Sequence, residues 1–312
     1  MTPPGGPRGA SGAAAPASAP ALAPGGQSAG IALVLLAALL WSSSGLFIKL
    51  LTLNGFALTG VRSGLATLTL APFVRYRALR VDGTLLLLTL AFAATQLGFV
   101  FSTRWTTAAN AIALQSTAPA WVFALGWLAA RRIETPLLLP LGLIGAGIVA
   151  ILAEPVHGTS LQGNLLALAS GLSFAVTQIC FKHVNQPVVG SVALANLGSL
   201  LGCLLIAPGA FRLGDVPAWE WSALVYLGAI QIGLGMLCFT AGVRRITVAQ
   251  ASILSLLEPL FNPLWVFLVL GELPSAYGFA GFALILAGIL TDFGPRLWVP
   301  SLQPAHQAHR AR

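Results

Sequence analysis

The chain has 312 residues, of which 57% are hydrophobic and only 8% charged, against about 25% charged in an ordinary soluble domain. A single soluble core of that length cannot hide so much apolar side chain, so the composition excludes a soluble globular protein and predicts an all-α integral membrane protein. The net charge of +8 comes from sixteen Lys and Arg placed in ones, twos and threes between apolar runs, the loop marking of a membrane protein rather than the clustered basic and aromatic face of a nucleic-acid binder.

Residues 1–28 are Pro, Gly, Ala and Ser with one charge, Arg8, and form a tail expected to be disordered. The apolar run behind it has full transmembrane length and no clear cleavage site, so it reads as a retained first helix rather than a secretory signal. Ten spans follow in order, at about 30–48, 57–74, 84–102, 107–130, 137–153, 162–181, 189–208, 220–241, 247–270 and 276–293. Residues 294–312 form a second tail. The loops are short and leave little room for a soluble catalytic domain. Cys180, Cys203 and Cys238 all lie inside apolar spans as small buried hydrophobes. With no CxxC pair, no Cys/His ligand spacing and no GxxxxGK[ST] phosphate loop, neither a metal, a cofactor nor ATP is expected.

The loop charges set an orientation. With the N-terminus in the cytoplasm, the cytoplasmic segments carry twelve Lys and Arg and the opposite segments only three, Lys49, Arg104 and Arg212. That bias predicts a multi-pass plasma (inner) membrane protein with both termini cytoplasmic.

The sequence also repeats. Residues 30–49, "GIALVLLAALLWSSSGLFIK", match 163–182, "GNLLALASGLSFAVTQICFK", at an offset of 133. Residues 104–121 match 244–261 at an offset of 140, pairing Thr107 with Thr247 and Pro119 with Pro259. Five spans per repeat is an odd number, so the second repeat (160–293) is expected upside down relative to the first (29–153). Inverted repeats of this kind mark secondary transporters whose cargo sits near mid-membrane.

The end of the first span with its Trp-Ser and terminal Lys49, "RSGLATLTLAP" in the second, and the "A…L…EP" run ending in "LGE" at 271–272 together resemble the EamA family of the drug/metabolite transporter superfamily. The resemblance covers about residues 29–293. It implies a bundle of ten helices around a central cavity, alternating access, and a cargo among amino acids, other small metabolites or drugs. One departure is visible: the first repeat reads "RRIETP" where the second reads "LGELPS".

The candidate site centres on "SLLEPLFNP", residues 255–263. Ser255, Glu258 and Asn262 fall at i, i+3 and i+7, one face of a helix, and lipid cannot satisfy such a stripe, so it faces inward. Pro259 and Pro263, with Pro119 in the first repeat, remove backbone donors and are expected to kink their helices. Glu258 has two readings: it binds a substrate amine or carries a proton, or it hydrogen-bonds a neighbouring helix and holds a kink. Ala118 stands in its place in the first repeat. Arg62, about five residues into its span, either snorkels to the non-cytoplasmic interface or binds a carboxylate. Gln96, Gln115, Gln178 and Gln231 lie deep in their spans, and Ser42, Ser43 and Ser44 form a run in the first; interhelical hydrogen bonds explain each singly, and a polar interior explains them together. Trp41 and Trp121 are candidates for a cavity wall, with Trp127 and Trp265 further aromatic surfaces for a ligand, whereas Trp105, Trp219 and Trp298 sit where interface anchors belong.

These residues predict a secondary active transporter, a permease for a small metabolite such as an amino acid or related zwitterion, working as an exporter. The expected partners are the small-molecule substrate, the lipid bilayer and a coupling proton or exchanged solute, with the protein a monomer or homodimer. The alternatives are a multidrug or cationic-compound exporter relying on Glu258, a sugar-phosphate antiporter, which wants more buried cations, and a passive channel. An intramembrane enzyme needs a nucleophile with a base, a carboxylate pair or a metal set, and one deep carboxylate supplies none of these.

Overall fold

The computed structural model describes residues 24–130, 138–154 and 160–298, and every element in them is helical. The tail up to residue 23, the residues after 298, and Arg131 and Arg132 lie outside the described residues. In chain order the first half contains α1 (Pro24–Ser42), α2 (Ser44–Leu50), α3 (Gly55–Leu70), α4 (Gly83–Trp105), α5 (Ala108–Gln115), α6 (Ala118–Ala130) and α7 (Leu138–Leu152). The second contains α8 (Leu161–His183), α9 (Val188–Ile206), α10 (Ala218–Val225), α11 (Gly235–Gly242), α12 (Val248–Ser255), α13 (Leu257–Leu270) and α14 (Ala276–Trp298), with a π-helical stretch Tyr226–Leu234 joining α10 to α11.

Among the described residues, six stretches are long and apolar enough to cross a membrane: Gly26–Leu50, Gly83–Trp105, Leu161–His183, Val188–Ile206, Ala218–Gly242 and Ile253–Leu270. Leu138–Leu152 and Ala276–Thr291 are shorter apolar helices. Their outer faces carry bare leucines such as Leu86, Leu90, Leu205 and Leu268, each more than half exposed, which suits hydrocarbon and not water.

Three of the predicted stretches are interrupted, two of them beside prolines expected to kink them. The first breaks at Ser43, where Ser42 Oγ donates to the Leu39 carbonyl and Ser43 Oγ to the Leu40 carbonyl, both at 2.7 Å, so hydroxyls compete for carbonyls of the helix ladder. The fourth breaks at Ser116–Thr117, where the same back-bonding (2.7 and 2.6 Å) precedes Pro119. The ninth breaks at Leu256, three residues before Pro259, whose missing N–H leaves the Ser255 carbonyl without its helical donor. Pro263, by contrast, lies inside α13, which continues through it.

The residues paired by the repeat do the same local work. Thr107 caps α5 by accepting from Asn110 N at 3.1 Å, and Thr247 caps α12 by accepting from Gln250 N at 3.2 Å, with the Gln250 side chain returning to Thr247 N. The pairing of neighbours also survives exchange of the halves. Helices α7 and α14 pack on each other, as do α3 and α9. The α4–α8 contact is matched by α1 against α11 and the π stretch, α5 and α6 against α8 by α12 and α13 against α1, and α3 against the π stretch by α9 against α4.

Close approach needs small residues. Between α7 and α14, a Cβ on Gly147 would stand 2.6 Å from the Gly281 carbonyl oxygen and one on Gly281 would stand 2.7 Å from that of Gly147. Ile144, Ile151, Ile285 and Ile289 fill the space around this crossing together with Leu114 and Ala167 of α5 and α8.

Candidate functional site

The break between α1 and α2 is the node around which the polar interior is built. Ser43 Oγ and Tyr226 Oη share a hydrogen bond of 2.9 Å, and Gln231 Nε2 donates to the Trp41 carbonyl at 3.1 Å, so the π stretch grips one side. From the other side α13 supplies Trp265 Nε1, which donates to Ser42 Oγ at 2.9 Å, and Asn262 Nδ2, which donates to Ser44 Oγ at 3.3 Å. Gly45 has no side chain because Asn262 Oδ1 lies where its Cβ would be. The Trp41 ring leans on Phe239 at 5.2 Å between centroids and covers Gly235.

This node leaves acceptors unused. Asn262 is 0% exposed and Gln231 3%, yet Asn262 Oδ1 and Gln231 Oε1 have no hydrogen-bond partner among the described residues. Such atoms cost about 1–3 kcal/mol each when buried without a partner. Glu258 lies one turn before Asn262 in the first turn of α13 and is partly buried. Its carboxylate makes no hydrogen bond to any described residue. Ser255, expected on the same continuous face, instead ends α12 on the far side of the break, and its Oγ donates to the Ala251 carbonyl at 2.9 Å.

The first repeat's counterpart of this segment is tied down. Gln115 ends α5 at the break, and its Nε2 donates to Ser170 Oγ at 2.9 Å, which in turn donates to the Thr95 carbonyl at 3.0 Å. Gln115 is thereby fastened to α8 and α4. Gln96 on α4 and Gln178 on α8 are partly buried and make no hydrogen bond among the described residues, so the structure does not draw them into the node. Trp121 Nε1 is buried without a partner, and the side chain of Trp127 lies outside those described.

Arg62 departs from the snorkelling expectation. It is 2% exposed, because α3 is flanked by α9 and the π stretch, and Gly228 packs on the Arg62 backbone. Among the described residues its Nε and Nη2 have no acceptor, and Thr59 and Ser63, on the same face of α3, hold buried hydroxyls that are also unpartnered there. A buried guanidinium without a counter-charge is among the costliest arrangements a membrane interior can hold.

A second set of polar residues, not foreseen as a group, gathers at the end of the bundle away from the N-terminus. Lys49 Nζ forms an ion pair with Glu272 and donates to the Thr106 carbonyl at 3.1 Å, while Glu272 Oε1 accepts from Ala108 N at 2.7 Å. Asn110 Nδ2 donates to Glu154 Oε2 at 2.7 Å, and Thr106 Oγ1 to Asn164 Oδ1 at 2.6 Å. Arg104 donates to the carbonyls of Ile48, Leu51 and Leu53, at 2.6–3.2 Å, and closes the end of α2. Glu220, fully buried, accepts from Thr52 N and Oγ1. The available signal was that Glu154, Glu220 and Glu272 all fall at span ends on the same side of the predicted topology.

Comparison with known proteins agrees with this architecture. Residues 28–153 and 161–291 each match the family described as EamA-like transporter family. An "Uncharacterized transporter" of Archaeoglobus fulgidus is 30% identical over 264 residues, which cover 84% of this chain and 95% of that protein. The "Uncharacterized inner membrane transporter YicL" of Salmonella typhimurium is 27% identical, covering 85% of this chain and 95% of that protein. A "Biotin transporter" of the same organism is 25% identical, covering 72% and 80%. A solved crystal structure superposes with a TM-score of 0.58 at 19% identity, covering 88% of this chain and all of that one, a likeness of fold alone.

Proposed function

The chain belongs to the EamA-like transporter family, and from that premise we propose that it is a secondary active transporter that exports a small zwitterionic metabolite, such as an amino acid, by alternating access. One observation carries the choice of cargo. Among the described residues away from the span ends, the charged side chains are Glu258 and Arg62, and neither makes an ion pair or a hydrogen bond to another described residue. A cargo with an amine and a carboxylate offers each the counter-charge it lacks, at mid-membrane where the interaction is least screened. Asn262 Oδ1 and Gln231 Oε1 accept the remaining N–H groups. The relative named for biotin, itself a carboxylic acid, favours a cargo that presents a carboxylate to Arg62.

The architecture in this proposal is ten spans in two inverted five-helix repeats, 29–153 and 160–293. The repeat offsets of 133 and 140, the two family matches and the exchange of helix contacts between halves support it. The charge bias supports both termini in the cytoplasm, and the relative named as an inner membrane transporter supports a location in the inner membrane. A proton or an exchanged solute supplies the driving force.

Reconstituted liposomes test the proposal. Radiolabelled amino acids of each charge class, a lipophilic cation and a sugar phosphate are offered with and without a proton gradient. Saturable uptake of a zwitterion is the expected result. Movement of the lipophilic cation alone would make the protein a cation exporter, and flux that never saturates would make it a channel.

A further inference from the structure

The elements that meet at the end away from the N-terminus are not arbitrary ones. Lys49 ends α2, Ala108 begins α5, and Glu272 follows α13, so the ion pair and its hydrogen bonds join the outer halves of the three interrupted stretches. Each half is hinged to its partner, α1, α6 or α12, by the break at Ser43, Ser116–Thr117 or Leu256. Helix α13 also packs on α2 and on α5. Gly271, the described glycine with positive φ (67°), caps α13 in the left-handed conformation and turns Glu272 back toward both partners. One carboxylate oxygen then meets the Lys49 ammonium and the other an otherwise unpaired N–H at the start of α5.

We infer that Lys49, Glu272 and the N-terminus of α5 form a latch that closes three hinged half-helices at the non-cytoplasmic end. With the latch made, the protein is closed to the outside and receives its cargo from the cytoplasm. The inference rests on the transport reading and the orientation proposed above, and it deepens them by assigning the side from which cargo loads.

The test uses the full chain with Cys180, Cys203 and Cys238 replaced by Ala and Ser43→Cys as reporter at the first hinge. A membrane-impermeant maleimide is added to either face of oriented vesicles without any substrate. The latched protein should react more slowly from outside than from the cytoplasmic side. Glu272→Gln and Lys49→Gln should each raise the outside rate about fivefold, the factor expected for losing one partly exposed ion pair. The exchanged pair Lys49→Glu/Glu272→Lys should bring it part of the way back down, because it restores the ion pair but leaves the Ala108 N–H without an acceptor. A variant that fails to fold is recognised by gel filtration, and the other two carry the test. Outside rates unchanged by both single substitutions, or a parent that reacts faster from outside, would overturn the latch. No cargo is present, so a wrong substrate assignment leaves these outcomes intact.

Discussion

Replacing Gly147 by alanine tests the packing that fixes the two halves against each other. A Cβ there would meet the Gly281 carbonyl oxygen at 2.6 Å, Ile285 Cγ1 at 2.8 Å and Ile285 N at 3.1 Å. Two of those three atoms are backbone, so no side-chain rotation relieves the overlap and α7 must move away from α14. Overpacking of this kind costs about 1–3 kcal/mol. Alanine's better helix propensity returns up to about 1 kcal/mol, leaving a net loss of about 0–3 kcal/mol. Gly145, one turn-half away on the same helix, supplies the control, because a Cβ there meets nothing within 4 Å. Gly145→Ala should be neutral or stabilising by up to about 1 kcal/mol. Thermal unfolding of both variants in the same detergent should place Gly147→Ala below wild type and Gly145→Ala at or above it. A Gly147→Ala midpoint equal to or above that of Gly145→Ala would refute the close α7–α14 contact.

Arg62→Met should leave thermal stability unchanged or raise it by up to about 1–3 kcal/mol, because it removes unpaired N–H groups from an apolar interior. The same variant should lose saturable uptake; a clear fall in the unfolding midpoint would show that Arg62 holds the fold together instead. Thr247→Ala removes the hydroxyl half of the capping box at α12, leaving the Gln250 side chain on the 247 N–H, and should cost about 1 kcal/mol in the same thermal assay. An unchanged midpoint would mean that this helix end contributes nothing to stability.

The sequence carries the parts of this fold that local chemistry decides. Apolar runs of bilayer length mark the spans, and Thr107 and Thr247, each three residues before an amide side chain, carry the pattern of a helix cap. What it does not carry depends on neighbours distant in the chain. The serine run at 42–44 was readable as polar, but whether its hydroxyls break the helix or cross to another depends on Tyr226 and Trp265 standing opposite. Arg62 had the length to snorkel, and α9 and the π stretch prevent it. Ser255, Glu258 and Asn262 share a face only if the helix is continuous, and the break at Leu256 separates the first from the other two. Among the polar candidates, Trp41, Ser43, Gln231 and Asn262 converge, whereas Gln115 is bound to Ser170 and Gln96 and Gln178 stand apart. Lys49 and Glu272 lie 223 positions apart, and only the folded bundle brings them together.

The claim that two unpaired charges hold a zwitterion is tested most directly by one uptake measurement in liposomes. Wild type, Glu258→Gln and Arg62→Met are loaded side by side with the best zwitterion from the cargo panel, and its methyl ester and N-acetyl derivative serve as competitors. The account predicts saturable uptake in wild type, poor competition by either derivative, and loss of saturable uptake in both variants. Wild-type uptake in either variant, or full competition by a derivative lacking one of the two charges, would contradict it.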